Sequence, residues 1–333
     1  MNNSILQSYG WSSFYEKGLS AKSGLKPGRI LTAHRREFLL VSESGLINAA
    51  ISGVLFHKAI KVMDRPVVGD WVLFSEKIGH SPRIEKILPR KSLLKRTASG
   101  ARKRKNTAVN NEQLIAANLD YLLIISGLDR DFNPRRVERY LAAAHQGDIE
   151  PLIILNKADL AANPEEMKII IEKSAMNIPV LLMSAKTGMG ISELEKLLEP
   201  AKTYALLGSS GVGKSTIINA IIGEKMLETK EISHSAKKGV HTTTKRELIL
   251  IKNGAILMDN PGIRELQLSA ELADIDETFA DILEISANCR FSDCRHYQEP
   301  GCSVRDAIGR GEISETRLQA WHRLIEEKEA QKP

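Results

Sequence analysis

The sequence predicts a multidomain chain: a small all-β barrel at the N-terminus, a central α/β domain on a mostly parallel sheet, and a short C-terminal unit holding every cysteine. Three observations predict it. Short apolar runs separated by turn signals fill the stretch from about Gly28 to Leu88. From Tyr121 onward apolar runs alternate with helical patterns, which argues for parallel strands with helices on both faces. Cys289, Cys294 and Cys302 share one short span with His296. At 333 residues and 42% hydrophobic content the chain has room for two or three real cores, which excludes a disordered or fibrous protein. Met1 to Ser8 lacks a basic region followed by an apolar core, and no apolar run approaches membrane-spanning length. A cytoplasmic protein with no membrane partner is expected.

In the barrel, the expected strands are Arg29-Ile30-Leu31, Phe38 to Val41, Leu46 to Ala49, Trp71 to Phe74 and Ile84 to Ile87. Ser42-Glu43-Ser44-Gly45 and Val68-Gly69-Asp70 mark turns between them. Strand count alone does not choose between an OB-fold and an SH3-like barrel. A basic stretch follows. From Glu85 to Lys105 there are nine basic residues and one acid, a local +8 that, against +6 for the whole chain, leaves the remainder at −2. Charge so concentrated suits contact with a polyanion, and the stretch reads as an interdomain linker; a plain solvated linker is the other reading.

The α/β domain begins with the run Tyr121 to Ser126, and helical patterns cover Arg135–Gln146, Glu165–Ser174 and Ile191–Leu198. Its most specific feature lies between the buried run Tyr204-Ala205-Leu206-Leu207 and the helical Ile217 to Gly223. There stand Gly208, Ser209, Ser210, Gly211, Val212, Gly213, Lys214, Ser215 and Thr216. Strand, Gly-x4-Gly-Lys-Ser, helix is the context of a phosphate-binding loop. Glycines let backbone N–H groups curl around an oxyanion, and the helix N-terminus adds positive potential. Lys214 reaches the β and γ phosphates, and the Ser215 hydroxyl suits Mg²⁺. A serine- and glycine-rich turn lacks the full spacing.

Two shorter motifs lie upstream, each ending a buried run. Asn156, Lys157, Ala158 and Asp159 follow Pro151 to Leu155; Ser184, Ala185 and Lys186 follow Pro179 to Met183. In a guanine site the carboxylate of Asn-Lys-x-Asp accepts from the base N1–H and exocyclic amine. Adenine offers the wrong donors, and a buried acceptor left unpaired costs about 1–3 kcal/mol. Each motif alone is an ordinary strand-to-helix loop; beside a phosphate loop they read as a GTP site. Downstream, Ala255 to Met258 runs into Asp259-Asn260-Pro261-Gly262, where Asp259 suits Mg²⁺ at one remove and the Gly262 N–H suits the γ phosphate. Between them, Gly239 to Thr244 supplies switch hydroxyls; of Thr242, Thr243 and Thr244, Thr243 is taken as the Mg²⁺ contact.

Beyond the switch, Cys289-x4-Cys294-x-His296-x5-Cys302 offers three thiolates and one imidazole, a closed tetrahedral set for one structural Zn²⁺. A reducing cytosol and an odd thiol count argue against disulfides. A charged helix is expected from Ile313 to Lys328.

Base-reading loops, then phosphate loop, then switches is a rotated order for a Ras-like GTPase. In this the chain resembles, over nearly its whole length, the circularly permuted YjeQ/YloQ-type GTPases, the ribosome small-subunit-dependent GTPase family. Two residues depart from the family pattern: Asn260 stands where Thr is usual, and Val240 where a basic residue is common before His-Thr-Thr. The resemblance implies an OB-fold for the barrel, a zinc domain for the Cys/Cys/His/Cys set, and GTP hydrolysis activated by the small ribosomal subunit, in late maturation and through rRNA binding. The chain is read as domains at 1–105, 106–285 and 286–333, and a monomer is expected. The resemblance also assigns catalysis to His241 beside Lys214. Ile263 follows Gly262 where many GTPases place a water-orienting Gln, and His241 is the nearest polar side chain to take that task. Two other readings remain: an RNA-binding protein with a regulatory, weakly hydrolytic guanine-nucleotide site, and an ATPase or kinase, which Asp159 argues against.

Overall fold

Alternation of apolar residues along five strands builds the N-terminal barrel. The computed structural model describes residues 4–19, 24–34, 36–59, 62–76, 81–97, 112–130, 132–175, 177–209, 211–222, 246–259, 279–291 and 293–329. Two short helices, α1 (Ile5–Ser8) and α2 (Ser13–Glu16), precede β1 (Lys26–His34), β2 (Glu37–Ser42) and β3 (Gly45–Ile51). Helix α3 (Gly53–Lys58) leads to β4 (Trp71–Ser75) and β5 (Arg83–Ile87). The strands close in the order β1-β2-β3-β5-β4-β1, antiparallel except for β3 with β5. This is an OB-fold barrel. Every second residue points inward, so Ile30, Phe38, Leu40, Ala49, Ile51, Val72 and Phe74 fill one core. Part of the outward set is buried too: Trp71 and Leu73 lie under Leu6 and Tyr15 of the N-terminal helices, while Leu31 and Val41 join the core of the α/β domain.

The first half of the basic stretch is folded, which corrects its reading as a linker. Glu85 and Lys86 sit on β5, and Lys95 and Arg96 on β6 (Leu93–Thr97), which pairs antiparallel with β7 (Glu112–Ala117). Residues 98–111, including the boundary expected at 105, lie outside the described residues. Arg90 is structural. Its Nε and Nη2 donate to the two oxygens of Asp70, each at 2.7 Å, and its Nη1 to Met63 O. The side chains are 12% and 0% exposed. Burial pushes the Asp70 carboxyl up, and Arg90 with the Val67 N–H pulls it back. Removing one partner of a buried pair strands the other charge, so Arg90→Ala is expected to cost about 3–5 kcal/mol in urea unfolding. A loss under about 1 kcal/mol would place the pair in water-like surroundings.

The central sheet follows: β8 (Tyr121–Gly127), α4 (Pro134–Gln146), β9 (Glu150–Asn156), α5 (Pro164–Ala175), β10 (Val180–Leu182), α6 (Ile191–Leu197), β11 (Thr203–Leu207), α7 (Lys214–Ile222), β12 (Glu247–Leu250) and β13 (Ile256–Asp259). Strand order is β10-β9-β8-β11-β13-β12, parallel except for β12, which also touches β1 at Thr32↔Glu247 and joins barrel and sheet into one. Leu122, Ile124, Ile153, Leu155, Ala205 and Leu207 face α4 and α5. Their alternates Leu123, Ile125, Leu152, Ile154, Tyr204 and Leu206 face α6 and α7. Strands buried on both faces must be apolar throughout, which is why the sequence shows unbroken runs here.

The C-terminal unit consists of α8 (Ala280–Ser286), α9 (Ser303–Gly309) and α10 (Glu315–Glu329) around Phe279, Ile282, Val304, Ala307, Ile313 and Leu318. Arg317 of α10 ties it to the rest. It forms a two-point bond to Asp281 and donates to Ser174 O at the end of α5 at 2.8 Å. Burial pushes the nearby Glu138 carboxyl of α4 up to about 7, and the Arg317 charge pulls against it.

Candidate functional site

Parallel strands all end on one side, and the loops beyond their carboxyl ends form the site. The phosphate loop follows β11. Gly211 and Gly213 have φ of +83° and +98°, and a Cβ at Gly213 would come within 2.3 Å of Asn156 Nδ2. Glycine is required there for both reasons. Val212 is buried under the sheet, and α7 begins at Lys214, so Ser215 and Thr216 lie exposed in its first turn with the helix dipole behind them. Lys214 Nζ donates to Gly208 O and Ser209 O, both at 2.6 Å, which holds the ammonium over the loop.

The Asn-Lys-Ala-Asp and Ser-Ala-Lys loops meet it. Asn156 ends β9; its Nδ2 donates to Val212 O at 2.8 Å and its Oδ1 accepts from the Ala185 N–H at 2.9 Å. One side chain thus bonds the phosphate loop to the Ser-Ala-Lys loop. Ser184 Oγ donates to Asp159 Oδ1 at 2.6 Å, and the Ala158 N–H to Met183 O at 3.1 Å. Asp159 and Lys186 are exposed, Ala158 and Ser184 buried. Asn156, Lys157, Ala158, Asp159, Ser184, Ala185 and the loop around Lys214 are therefore brought together. On the neighbouring strand, Asp259 closes β13, whose register with β11 pairs Met258 with Ala205, so it stands level with the last stretch of chain before the phosphate loop. Ser210, His241, Thr243 and Gly262 lie outside the described residues.

Sequence reasoning missed Asp129, just beyond β8, whose Oδ2 accepts from Lys157 Nζ at 2.5 Å. No motif marks it. Its signal is positional, a carboxylate at the carboxyl end of a strand adjacent to the one that carries Asn-Lys-Ala-Asp.

The second cluster is Cys289, Cys294, His296 and Cys302, whose ligand atoms all lie within 4.8 Å of one another. His296 Nδ1 is 3.6 Å from Cys289 Sγ and 3.4 Å from Cys302 Sγ. Ligands about 2.0 and 2.3 Å from a central zinc at tetrahedral angles stand at such separations, so the set fits one metal ion. His296 and Cys302 are 3% and 2% exposed. Burial holds the imidazole's pKa down, which keeps a nitrogen lone pair free for a metal. Burial and the neighbouring thiols push Cys294 up to about 12, which disfavours its thiolate unless a cation is bound beside it.

The Asn-Lys-Ala-Asp and Ser-Ala-Lys loops, bonded to a Gly-x4-Gly-Lys-Ser loop that follows them in the chain, have the arrangement of a circularly permuted P-loop GTPase. Residues 87–269, more than half the chain, match the family model described as RsgA GTPase, and the chain belongs to that family of GTP hydrolases. A protein of Methanosarcina acetivorans described as a small ribosomal subunit biogenesis GTPase is 41% identical over 320 residues, 96% of this chain and 84% of its own. One of Leptospira interrogans with the same description is 42% identical over 329 residues, 98% and 89% of the two chains. The crystal structure of YjeQ from Thermotoga maritima is similar with a TM-score of 0.67 at 26% identity, covering 92% of this chain and all of that one. That of YloQ, titled a circularly permuted GTPase, shares the fold with a TM-score of 0.63 at 24% identity, over 95% and 99% of the chains. Among the described residues no helix is long and apolar enough to cross a membrane.

Proposed function

We propose that this chain hydrolyses GTP to GDP and phosphate as a step in small ribosomal subunit biogenesis, activated by the subunit late in its maturation and contacting its rRNA. The observation that carries the reading is Asn156, bonded at once to Val212 of the phosphate loop and to Ala185 of the base loop, in a chain whose relatives bear that description. In this reading Asp159 accepts from guanine, Asn156 and the Ser184-Ala185-Lys186 loop frame the base, and Gly208 to Thr216 cradle the phosphates with Lys214 as the cation. Mg²⁺, when bound, neutralises phosphate charge, and Ser215 and Thr243 are the residues to hold it, with Asp259 at one remove. Gly262 meets the γ phosphate and His241 orients water. Cys289, Cys294, His296 and Cys302 hold a structural Zn²⁺. The chain divides at about 105 and 285, works as a monomer and acts in the cytoplasm. Barrel and zinc unit flank the nucleotide domain, and the Arg317 bond to α5 offers a path by which GTP sets their relative pose for rRNA.

Intrinsic turnover is expected to be slow, on the order of 10⁻⁴ to 10⁻² s⁻¹, because in this reading His241 orients water only once a partner places it. Purified small subunits should raise it at least about tenfold. An unchanged rate would favour the RNA-binding reading with a weakly hydrolytic site. Asp159→Asn should exchange guanine for xanthine preference in the same assay; unaltered GTP preference would remove Asp159 from the base.

A further inference from the structure

Strand β9 lies between β10 and β8, and the loop that leaves it is held from both sides. From the β10 side come Ser184 Oγ and the Ala185 N–H, which the base-reading motifs already include. From the β8 side comes a bracket that belongs to no motif. Gly127 pairs with Asn156, the Leu128 N–H donates to Asn156 O at 2.8 Å, and Asp129 accepts from Lys157 Nζ at 2.5 Å with both side chains about a quarter exposed. A Cβ at Gly127 would come within 2.9 Å of Asp129 Oδ1, so the absent side chain there makes room for the carboxylate.

Lys157 needs such a hold. Its φ is +67°, the left-handed region that a residue with a Cβ occupies only where its surroundings over-determine it. It also stands between Asn156 and Asp159, whose side chains must be aimed together. If Lys157 relaxes to an ordinary conformation, the chain after it turns and Asp159 leaves its place beside Ser184.

We propose that Asp129 is a positioning residue for the purine: through Lys157 it fixes the left-handed turn that presents Asp159 to the base, and so sets nucleotide affinity rather than turnover. The proposal rests on the reading of Asn-Lys-Ala-Asp as the guanine contact. In this reading Asp129 acts through its ion pair with Lys157 and the backbone turn at that residue.

The test uses the full chain, titrated with fluorescently labelled GDP and assayed for GTP turnover. Asp129→Asn keeps the shape and removes the charge; it should raise the GDP Kd and the GTP KM on the order of tenfold while kcat at saturating GTP falls less than about twofold. Lys157→Ala should raise the GDP Kd at least as far, and adding Asp129→Asn to it should raise the Kd less than about threefold more, since Asp129 acts through Lys157. Asp129→Glu should recover part of the affinity. Thermal melts accompany each variant, and if Asp129→Asn melts early, Lys157→Ala and its cycle with Asp129→Glu carry the test. Wild-type affinity in Asp129→Asn, or full additivity in the double variant, overturns the proposal. Asp159→Asn, run alongside, separates the failures. A loss there with none in Asp129→Asn sinks the positioning role alone, whereas no loss in Asp159→Asn sinks the guanine reading and the proposal with it.

Discussion

Lys214→Ala is expected to lower GTP turnover by a factor of about 10² to 10³ or more, both alone and with small ribosomal subunits. Phosphoryl transfer asks little covalent chemistry of the protein; catalysis is positioning and charge stabilisation. Lys214 is the cation built into the loop, at the first residue of α7, with its Nζ held by Gly208 O and Ser209 O. A bound triphosphate offers that ammonium oxygens of far higher charge than two neutral carbonyls, so the side chain exchanges partners without the backbone moving. Alanine removes the charge and leaves the glycines, the helix dipole and the base contacts. The loss should therefore fall on kcat more than on GDP affinity, because GDP retains the base contacts and the loop N–H groups. Single-turnover phosphate release and GDP titration on the same protein check both. Turnover retained within about tenfold would mean that hydrolysis belongs to another site or a contaminant, because no other single cation takes this place in the phosphate loop.

How far the sequence carried depends on how many constraints each residue meets. Tyr121 to Ser126, Pro151 to Leu155 and Tyr204 to Leu207 were readable because strands buried on both faces tolerate only apolar residues. The phosphate loop was readable because its backbone forces glycine at fixed positions: a Cβ at Gly208 would come within 2.4 Å of Ile125 O, and Gly213 has a φ of +98°. Where one residue meets two demands the pattern blurs. Lys95 and Arg96 are charged yet lie on β6, and their basicity hid a strand. Arg90 counted toward a polyanion-binding charge while its guanidinium was committed to buried Asp70. Helices α1 and α2 are four residues each, too short for periodicity to declare them, and what fixes them is the aromatic face they cover, with Trp11 and Tyr15 against Trp71. Asp129 is a single carboxylate without spacing, and only strand order puts it beside Lys157.

Removing metal from the C-terminal cluster, or Cys302→Ser, is expected to unfold that unit and leave the nucleotide domain folded. The unit's core is a handful of side chains, Phe279, Ile282, Val304, Ala307, Ile313 and Leu318, with Cys302 itself among them. So small a core does not offset its chain entropy unaided, and a structural Zn²⁺ supplies about 10–16 kcal/mol in zinc-finger peptides. The nucleotide domain has two large clusters of its own that contain no residue of the unit. Among the described contacts, it loses the Arg317 bond to Ser174 O and the charge beside Glu138. The three tryptophans make this readable, since Trp11 and Trp71 lie together in the barrel region and Trp321 packs on His296 at 5.3 Å between ring centroids. Chelation should shift the Trp321 emission to the red, shown by its absence in Trp321→Phe, and open residues 279–329 to protease. Basal GTP turnover should hold within about threefold while stimulation by small subunits disappears. If the fragment stays protease-resistant and Trp321 unshifted after metal content falls below a tenth of an equivalent, the four ligands hold together without an ion and the cluster is a buried thiol core instead.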